Sequence, residues 1–342
     1  LSDLAMALNA LRRRDEAEPV FRRALAMMRA AHNGDHRDIA LALNNQAWGL
    51  HAMGRGDEAA PLYEEALAMQ QRLGVAAVER AQTQNNLAGL YYDRGDLDRA
   101  GTIWADVLVT YEGVFGSGGH AAVARAQNMV ALVAIERGRF DEAARLTLAA
   151  LQTNLRLLGE RHRWTAITLQ SHGAALLGLG RLAEAEALMR RSLAVRRAVL
   201  PAGHAEMVGP QLGLGRVALA RGDAAAAERA LRSALALIEA VRTPDRVPRD
   251  RVELALARAV ALQGRRNEGQ RIAAGAIERM RAALPATHWR LQAAQAALGL
   301  PPFVALAGPA QSAAARATLV ALRERLGPGA DVVRELAAAL GE

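Results

Sequence analysis

One register runs through most of the chain: Arg12, Gly54, Gly95, Gly138, Gly180, Gly222 and Gly264 follow one another at intervals of 42, 41, 43, 42, 42 and 42 residues. A period in this range means units that cannot bury their apolar faces alone and must stack on their neighbours. The fold is therefore a linear array and not a single globular core. Each unit reads as two amphipathic helices joined at the anchor. In the stretch Ile39 to Leu73, Leu43, Ala47 and Leu50 recur at helical spacing before Gly54, and Ala59, Tyr63 and Ala66 recur after it. Each helix thus carries one apolar stripe.

Counting forward from the anchor, the fifth residue is small in every unit: Ala17, Ala59, Ala100, Ala143, Ala185, Ala227 and Gly269. Four further on it is usually large: Phe21, Tyr63, Trp104, Thr147, Met189, Leu231 and Ala273. Three beyond that it is small or slight: Ala24, Ala66, Val107, Ala150, Ser192, Ala234 and Ala276. Small residues let two helix backbones approach, and the large one fills the space between them.

This alternation resembles the tetratricopeptide repeat. The longer period, the Leu-Asn-Asn-x-Ala run at Leu43 to Ala47 and the Asp-Glu-Ala-x-Pro-Leu-Tyr run at Asp57 to Tyr63 look like the kinesin-light-chain variety. The resemblance covers roughly residues 1 to 288, as seven copies with the first truncated. It implies an all-α fold, a right-handed superhelical solenoid of about seven antiparallel helix-turn-helix repeats plus C-terminal capping helices. The sixth and seventh copies lose the asparagines. With Gly269 and Ala273 where a small residue and an aromatic belong, the last copy is expected to pack loosely.

Beyond residue 288 the period stops, and 289–342 reads as a second region. Trp289 to Leu298 is a helix, Pro301-Pro302 ends it, and two more are expected near Ala310 to Leu326 and Asp331 to Leu340. Two roles stay open for this region: a cap with a polar outer face, or a partly mobile tail.

Asp15, Asp57, Asp98 and Asp141 are placed to cap the second helices, with Pro19 and Pro61 in the first turn, where a missing N–H costs little. Ala183 and Ala224 drop the cap, so those helices are expected to start less sharply, by about 1 kcal/mol each. Five histidines, His36, His120, His162, His204 and His288, lie 84, 42, 42 and 84 residues apart. Residues spaced by the repeat are carried apart by the array, whereas metal ligands converge within about 2 Å of one ion. They are assigned to helix starts between copies, and no metal or cofactor is expected. Gly178-Leu179-Gly180 and Gly213-Leu214-Gly215 mimic a dinucleotide fingerprint but follow no predicted strand. Gly116-Ser117-Gly118-Gly119 reads as a connection and not as a nucleophile elbow, for the same reason.

Composition narrows the function classes. Hydrophobic residues make up 51% and aromatics only 4%, so the interior is mostly Ala and Leu. No apolar run approaches the eighteen or so residues of a membrane span. With no cysteine there is neither a disulfide framework nor a thiolate metal site, and the cytoplasm is the expected compartment. All 43 basic residues are arginine, which with the abundant alanine suggests a GC-rich bacterial genome. Without lysine there is no phosphate-loop, kinase or Schiff-base lysine. The chain begins at Leu1, inside what reads as a helix and without Met, so an upstream signal peptide or domain is an open expectation. Residues 1–160 carry a net charge of −3 and residues 161–342 a net of +11. The second half would suit an acidic segment or nucleic acid, or be a solvated arginine surface; the last is favoured because no aromatics interleave the charge.

No nucleophile, base and orienting group occur together, so an enzyme is not expected. Ten residues before each anchor stand Asn44, Asn85, Asn128 and Gln170, then Leu212 and Leu254. A carboxamide both donates and accepts, so a ladder of them can pair with the backbone of an extended peptide. The resemblance implies that the first helix of each copy lines a concave groove and that this position faces it. The implied site adds Gln82 and Arg125 one turn earlier, Trp48 one turn later, His51 and Tyr92 beyond, and Arg216 and Arg258 as a basic extension. Against this stands a purely structural role in which Asn45 and Asn86 bond between copies. The expected function is a scaffold that binds a peptide or partner protein. The alternatives are a regulatory region of a larger bacterial signalling protein and, less favoured, nucleic-acid binding through the basic half.

Overall fold

The computed structural model describes residues 1–10, 13–240, 249–305 and 307–342, and among them the regular elements are helices, with no strand. The chain divides into two units, Leu1–Ser117 and Gly118–Glu342, and the division falls within the Gly116–Gly119 connection. Each unit is described by itself.

The first unit holds α1 (Ser2–Ala10), α2 (Arg14–Ala31), α3 (Arg37–Ala52), α4 (Gly56–Arg72), α5 (Ala77–Asp93) and α6 (Leu97–Phe115). The second holds α7 (Ala121–Glu136), α8 (Phe140–Leu158), α9 (Arg163–Gly178), α10 (Leu182–Val199), α11 (Val208–Ala220), α12 (Ala224–Ala240), α13 (Arg249–Leu262) and α14 (Arg266–Ala283). After these come α15 (Trp289–Leu298), α16 (Pro309–Leu326) and α17 (Asp331–Leu340). Odd and even helices pair as hairpins, and hairpins stack.

The anchor glycines turn each hairpin. Gly54, Gly95, Gly138, Gly180, Gly222 and Gly264 all have φ between 69° and 85°, the left-handed region that costs other residues about 1–2 kcal/mol. Arg12, the first anchor, lies outside the described residues. Every residue at the three spaced positions after the anchors is buried, from Ala17, Phe21 and Ala24 through to Gly269, Ala273 and Ala276.

The seventh copy does not pack loosely. A Cβ at Gly269 would stand 2.7 Å from the Ala257 carbonyl oxygen, so glycine is what allows α13 and α14 their close approach. The bulk missing at Ala273 comes from beyond the repeats: Phe303 packs with Ala257, Ala261 and Ala273. In the fourth copy Thr147 likewise stands where an aromatic is usual. Its Oγ1 lies 2.9 Å from His172 Nδ1 and donates to the Ala143 carbonyl at 2.6 Å. Burial, with the nearby Arg181 charge, lowers the His172 pKa. The pair is enclosed and fills the space an aromatic ring takes in the second and third copies.

Helix starts differ from the sequence expectation. Asp15, Asp57, Asp98 and Asp141 fall inside the first turn; Asp96 takes the N-cap ahead of Asp98, and in the other three the N-cap residues are Arg13, Arg55 and Arg139, with no side-chain cap. There each N-cap arginine reaches forward three residues to a glutamate: Arg13 to Glu16 at 2.7 Å, Arg55 to Glu58 at 2.6 Å, Arg139 to Glu142 at 2.9 Å. Arg181 and Glu184 repeat the pair at 2.7 Å, so α10 starts no differently despite Ala183. Among the described residues two helices show a carboxylate cap. Asp96 Oδ1 accepts from Arg99 N at 3.1 Å, and Asp223 Oδ1 accepts from Ala226 N at 2.8 Å, which replaces the cap that Ala224 seemed to lose. An aspartate at N-cap satisfies an otherwise orphan N–H.

The five periodic histidines are N-caps of α3, α7, α9, the short 3-10 turn Ala205–Met207 and α15. In each, Nδ1 accepts from the backbone N–H two residues on, at 3.1–3.2 Å. Accepting there requires a neutral ring, because an imidazolium has no lone pair to offer. His288 is the extreme case, 3% exposed. Burial first, then the charges of Arg290 and Arg325, press its pKa down to about 4. The folded pKa lies below the unfolded one of about 6.5, so its stability contribution is complete above pH 6.5 and is lost as pH falls toward 4. That loss reaches at most about 3 kcal/mol. Urea midpoints at pH 7 and pH 4.5 are expected to differ less for His288→Asn, which caps without titrating, than for the wild-type chain.

The C-terminal helices form where the sequence predicts them, and they fold back. The turn between α16 and α17 lies against the hairpin turn at Gly138: Gly327 and Gly329 approach the carbonyl oxygens of Arg137 and Gly138. Across the same unit, Glu136 at the end of α7 receives Arg251 of α13 at 2.5 Å and lies 3.8 Å from Arg290 of α15.

Candidate functional site

The first helices of the hairpins carry the residues nominated for a ligand. In the first unit two of the carboxamides are engaged inside the array. Asn44 is buried, its Oδ1 accepts from Asn86 Nδ2 at 3.1 Å and its Nδ2 donates to Asn45 Oδ1 at 3.3 Å. Asn85 Oδ1 accepts from the Trp104 indole at 3.0 Å, and Tyr92 is tilted against the same indole with ring centres 5.5 Å apart. His51 Nε2 lies 2.9 Å from Asp93 Oδ2. Trp48 is partly buried against Ala5, Leu8, Ala17 and Phe21. Gln82 is exposed.

In the second unit Arg125 is exposed, its guanidinium 5.4 Å from the centre of the Trp164 ring. Asn128 is 1% exposed and its carboxamide has no hydrogen bond to the described residues. Gln170 Oε1 accepts from Arg196 at 2.6 Å. Arg196 is itself 3% exposed, and burial presses its pKa down to about 10.

Arg216 and Arg258 face α17. Arg216 pairs with Asp331, and Arg258 Nη1 stands 3.2 Å from Glu335 Oε1. Burial works against the Arg216 charge, yet the carboxylates of Asp331 and Glu335 more than offset it and its pKa is raised. Arg334, on the same helix, donates to the Gly178 carbonyl at 3.0 Å and lies 4.8 Å above the Phe140 ring. Nothing in the repeat pattern nominates Phe140, Asp331, Arg334 or Glu335. The signal available in the sequence is charge complementarity: two carboxylates one helical turn apart in a chain whose basic excess is in the same half.

Many of the arginines behind that excess are paired within the chain. Arg163 holds Glu206 at 2.7 Å, Arg191 holds Glu160 at 2.6 Å, and Arg279 holds the buried Glu253 at 2.5 Å. Such pairing fixes these guanidiniums on carboxylates of the chain, so fewer of the 26 arginines of residues 161–342 are open to a phosphate backbone than their number suggests.

Among the described residues one group has metal-ligand character: His32, His36 and Asp38 bring one ligand atom each within 4.8 Å of the others. The two rings are stacked 3.4 Å apart and almost parallel. Imidazole lone pairs lie in the ring plane, so parallel rings do not converge on one ion at about 2 Å. His36 Nδ1 is also engaged in capping α3. No helix among the described residues is long and apolar enough to cross a membrane.

A family model of the tetratricopeptide repeat matches residues 1–72, 79–147 and 122–198, and a second model of that description matches residues 208–233. No curated protein matches the sequence. Among solved structures the chain is similar to a Rap protein complexed with competence and sporulation factor, at 13% identity over 99% of this chain and 91% of that one, with a TM-score of 0.74. It is similar to NprR in complex with its cognate peptide NprX, at 14% identity over 94% and 86%, with a TM-score of 0.64. It is also similar to BtubC (BKLC) from P. vanneervenii, at 22% identity over 66% and 91%, with a TM-score of 0.54. At such identities the likeness is one of fold.

Proposed function

This chain belongs to the tetratricopeptide repeat family, and on that premise we propose that it is a non-catalytic interaction scaffold whose first helices take up an extended peptide or a segment of a partner protein. The observation that carries this reading is the pairing of Arg216 and Arg258 with Asp331 and Glu335. Side chains on two first helices engage the charged groups of another segment, which is what a peptide-binding face does. The competence and sporulation factor complexed with the Rap protein and the cognate peptide complexed with NprR support the same reading. On the first unit, Gln82, Trp48 and Tyr92 are the side chains with surface left to offer, and Arg125 is their exposed counterpart on the second.

Displayed random peptides selected on the intact chain test it. Selected peptides are expected to lose at least tenfold in affinity, about 1.4 kcal/mol, for an Arg125→Ala variant, at an exposed position on a first helix of the unit that holds Arg216 and Arg258. Peptides that bind this variant as tightly as the wild-type chain, and lose affinity only on changes to the second helices, would overturn the reading.

A further inference from the structure

Arg216 and Arg258 occupy the same place in successive copies, six residues before Gly222 and Gly264. The two carboxylates they hold are four residues apart on α17, so one edge of a single short helix spans two copies. On its other sides the helix rests on Val333, Leu336 and Ala337, all buried, and on Arg334, which meets the Gly178 carbonyl and the Phe140 ring. The contacts therefore draw on the fourth to seventh copies.

Three features make α17 an occupant and not a fixed part of the array. It is ten residues long, below the length at which a helix holds its own shape in water. It follows α16 through the turn at 327–330 and can be lifted without parting any hairpin pair. Its grip on Arg258 is open to water, with Glu335 54% exposed in its side chain, and ion pairs of that kind exchange readily. Arg216, by contrast, is 30% exposed beside its partner and needs an anion wherever α17 is absent.

We propose that this face is a receptor for an acidic amphipathic helix of a partner protein, with two carboxylates four residues apart beside an apolar stripe, and that α17 is the resident competitor such a helix displaces. The inference rests on the scaffold reading above and names the partner's chemistry and the device that regulates access.

The test uses the full chain and a fluorescent peptide of residues 329–342 as probe. In Asp331→Arg/Glu335→Arg the resident helix faces like charges and is expected to detach, seen as fast amide exchange over 331–340. The probe is then expected to bind this variant at least tenfold more tightly than the wild-type chain, and to lose that binding when Arg216→Glu/Arg258→Glu is added. A probe that fails to bind although α17 has detached overturns the proposal, as does an α17 that stays protected in the charge-reversed variant. Glu335→Arg alone, at a half-exposed position, carries the same readout if the double variant fails to fold. The peptides selected for the scaffold test run in parallel: if they bind and the probe does not, this inference falls and the scaffold stands, and if neither binds, both fall.

Discussion

Gly138→Ala is expected to destabilise residues 118–342 by about 3 kcal/mol, roughly three times the cost of the same change at Gly180. Both glycines are hairpin anchors with positive φ, 69° and 75°, so each substitution carries the backbone strain of about 1 kcal/mol or somewhat more. A Cβ at Gly180 meets nothing within 4 Å, and strain is the whole of its cost. A Cβ at Gly138 would overlap the backbone of Gly329 and Ala330. Backbone yields far less than the end of a flexible side chain, and forcing an extra carbon into a filled space costs about 1–3 kcal/mol more. Denaturant midpoints of the two variants measure the difference. Amide exchange should also rise in α17 for Gly138→Ala and stay unchanged for Gly180→Ala. Equal effects at both sites would mean that the turn at 327–330 is not held against the anchor.

Phe303→Ala is expected to cost about 3–5 kcal/mol, the range for emptying an aromatic site in a core. Phe303 is 7% exposed and is the bulky member of the cluster made with Ala257, Ala261 and Ala273. Alanine there leaves a void among Ala257, Ala261, Ala273 and the partly buried Leu254, Ile272 and Leu298 that the surrounding helices can only partly close. Phe303→Leu, which keeps most of the volume, is expected to cost less than about 1.5 kcal/mol. Chemical denaturation read by the indole fluorescence of Trp289 reports on the neighbouring helix. A cost near zero for Phe303→Ala would mean that the seventh copy closes without help from outside the repeats.

These two sites mark where the sequence was legible and where it was not. A strict period exposes whatever depends on neighbours in the same unit: the anchor glycines, the buried triplets and the histidine caps all follow from local chemistry repeated in register. The three C-terminal helices were legible for the same reason, through proline breaks and apolar spacing. What the period cannot convey is a contact between non-equivalent positions. Phe303 fills a gap left at Ala273, and Asp331 pairs with Arg216 across 115 residues; neither partner announces the other. Capping was misread on a smaller scale. The aspartates two residues after Arg13, Arg55 and Arg139 look like caps by type, yet the helices begin earlier and an Arg-x-x-Glu pair stands at their starts. The candidate ladder shows the limit of reading position as exposure. Asn44 and Asn128 hold equivalent places in their copies and are buried, whereas Asn85 is partly exposed, because burial depends on what the next hairpin brings against each one.

The contact of Glu136 with Arg251 and Arg290 bears on how such a chain can change length over evolutionary time. An open array tolerates the gain or loss of a whole copy, since every copy meets only its neighbours. In residues 118–342 a carboxylate from the first hairpin is clasped by guanidiniums from the fourth hairpin and from the helix after it. Deleting or duplicating a copy between them would carry the two ends out of reach and strand a partly buried charge. The clasp counts the copies, and a duplication that a plain solenoid would absorb silently would here part Glu136 from its guanidiniums.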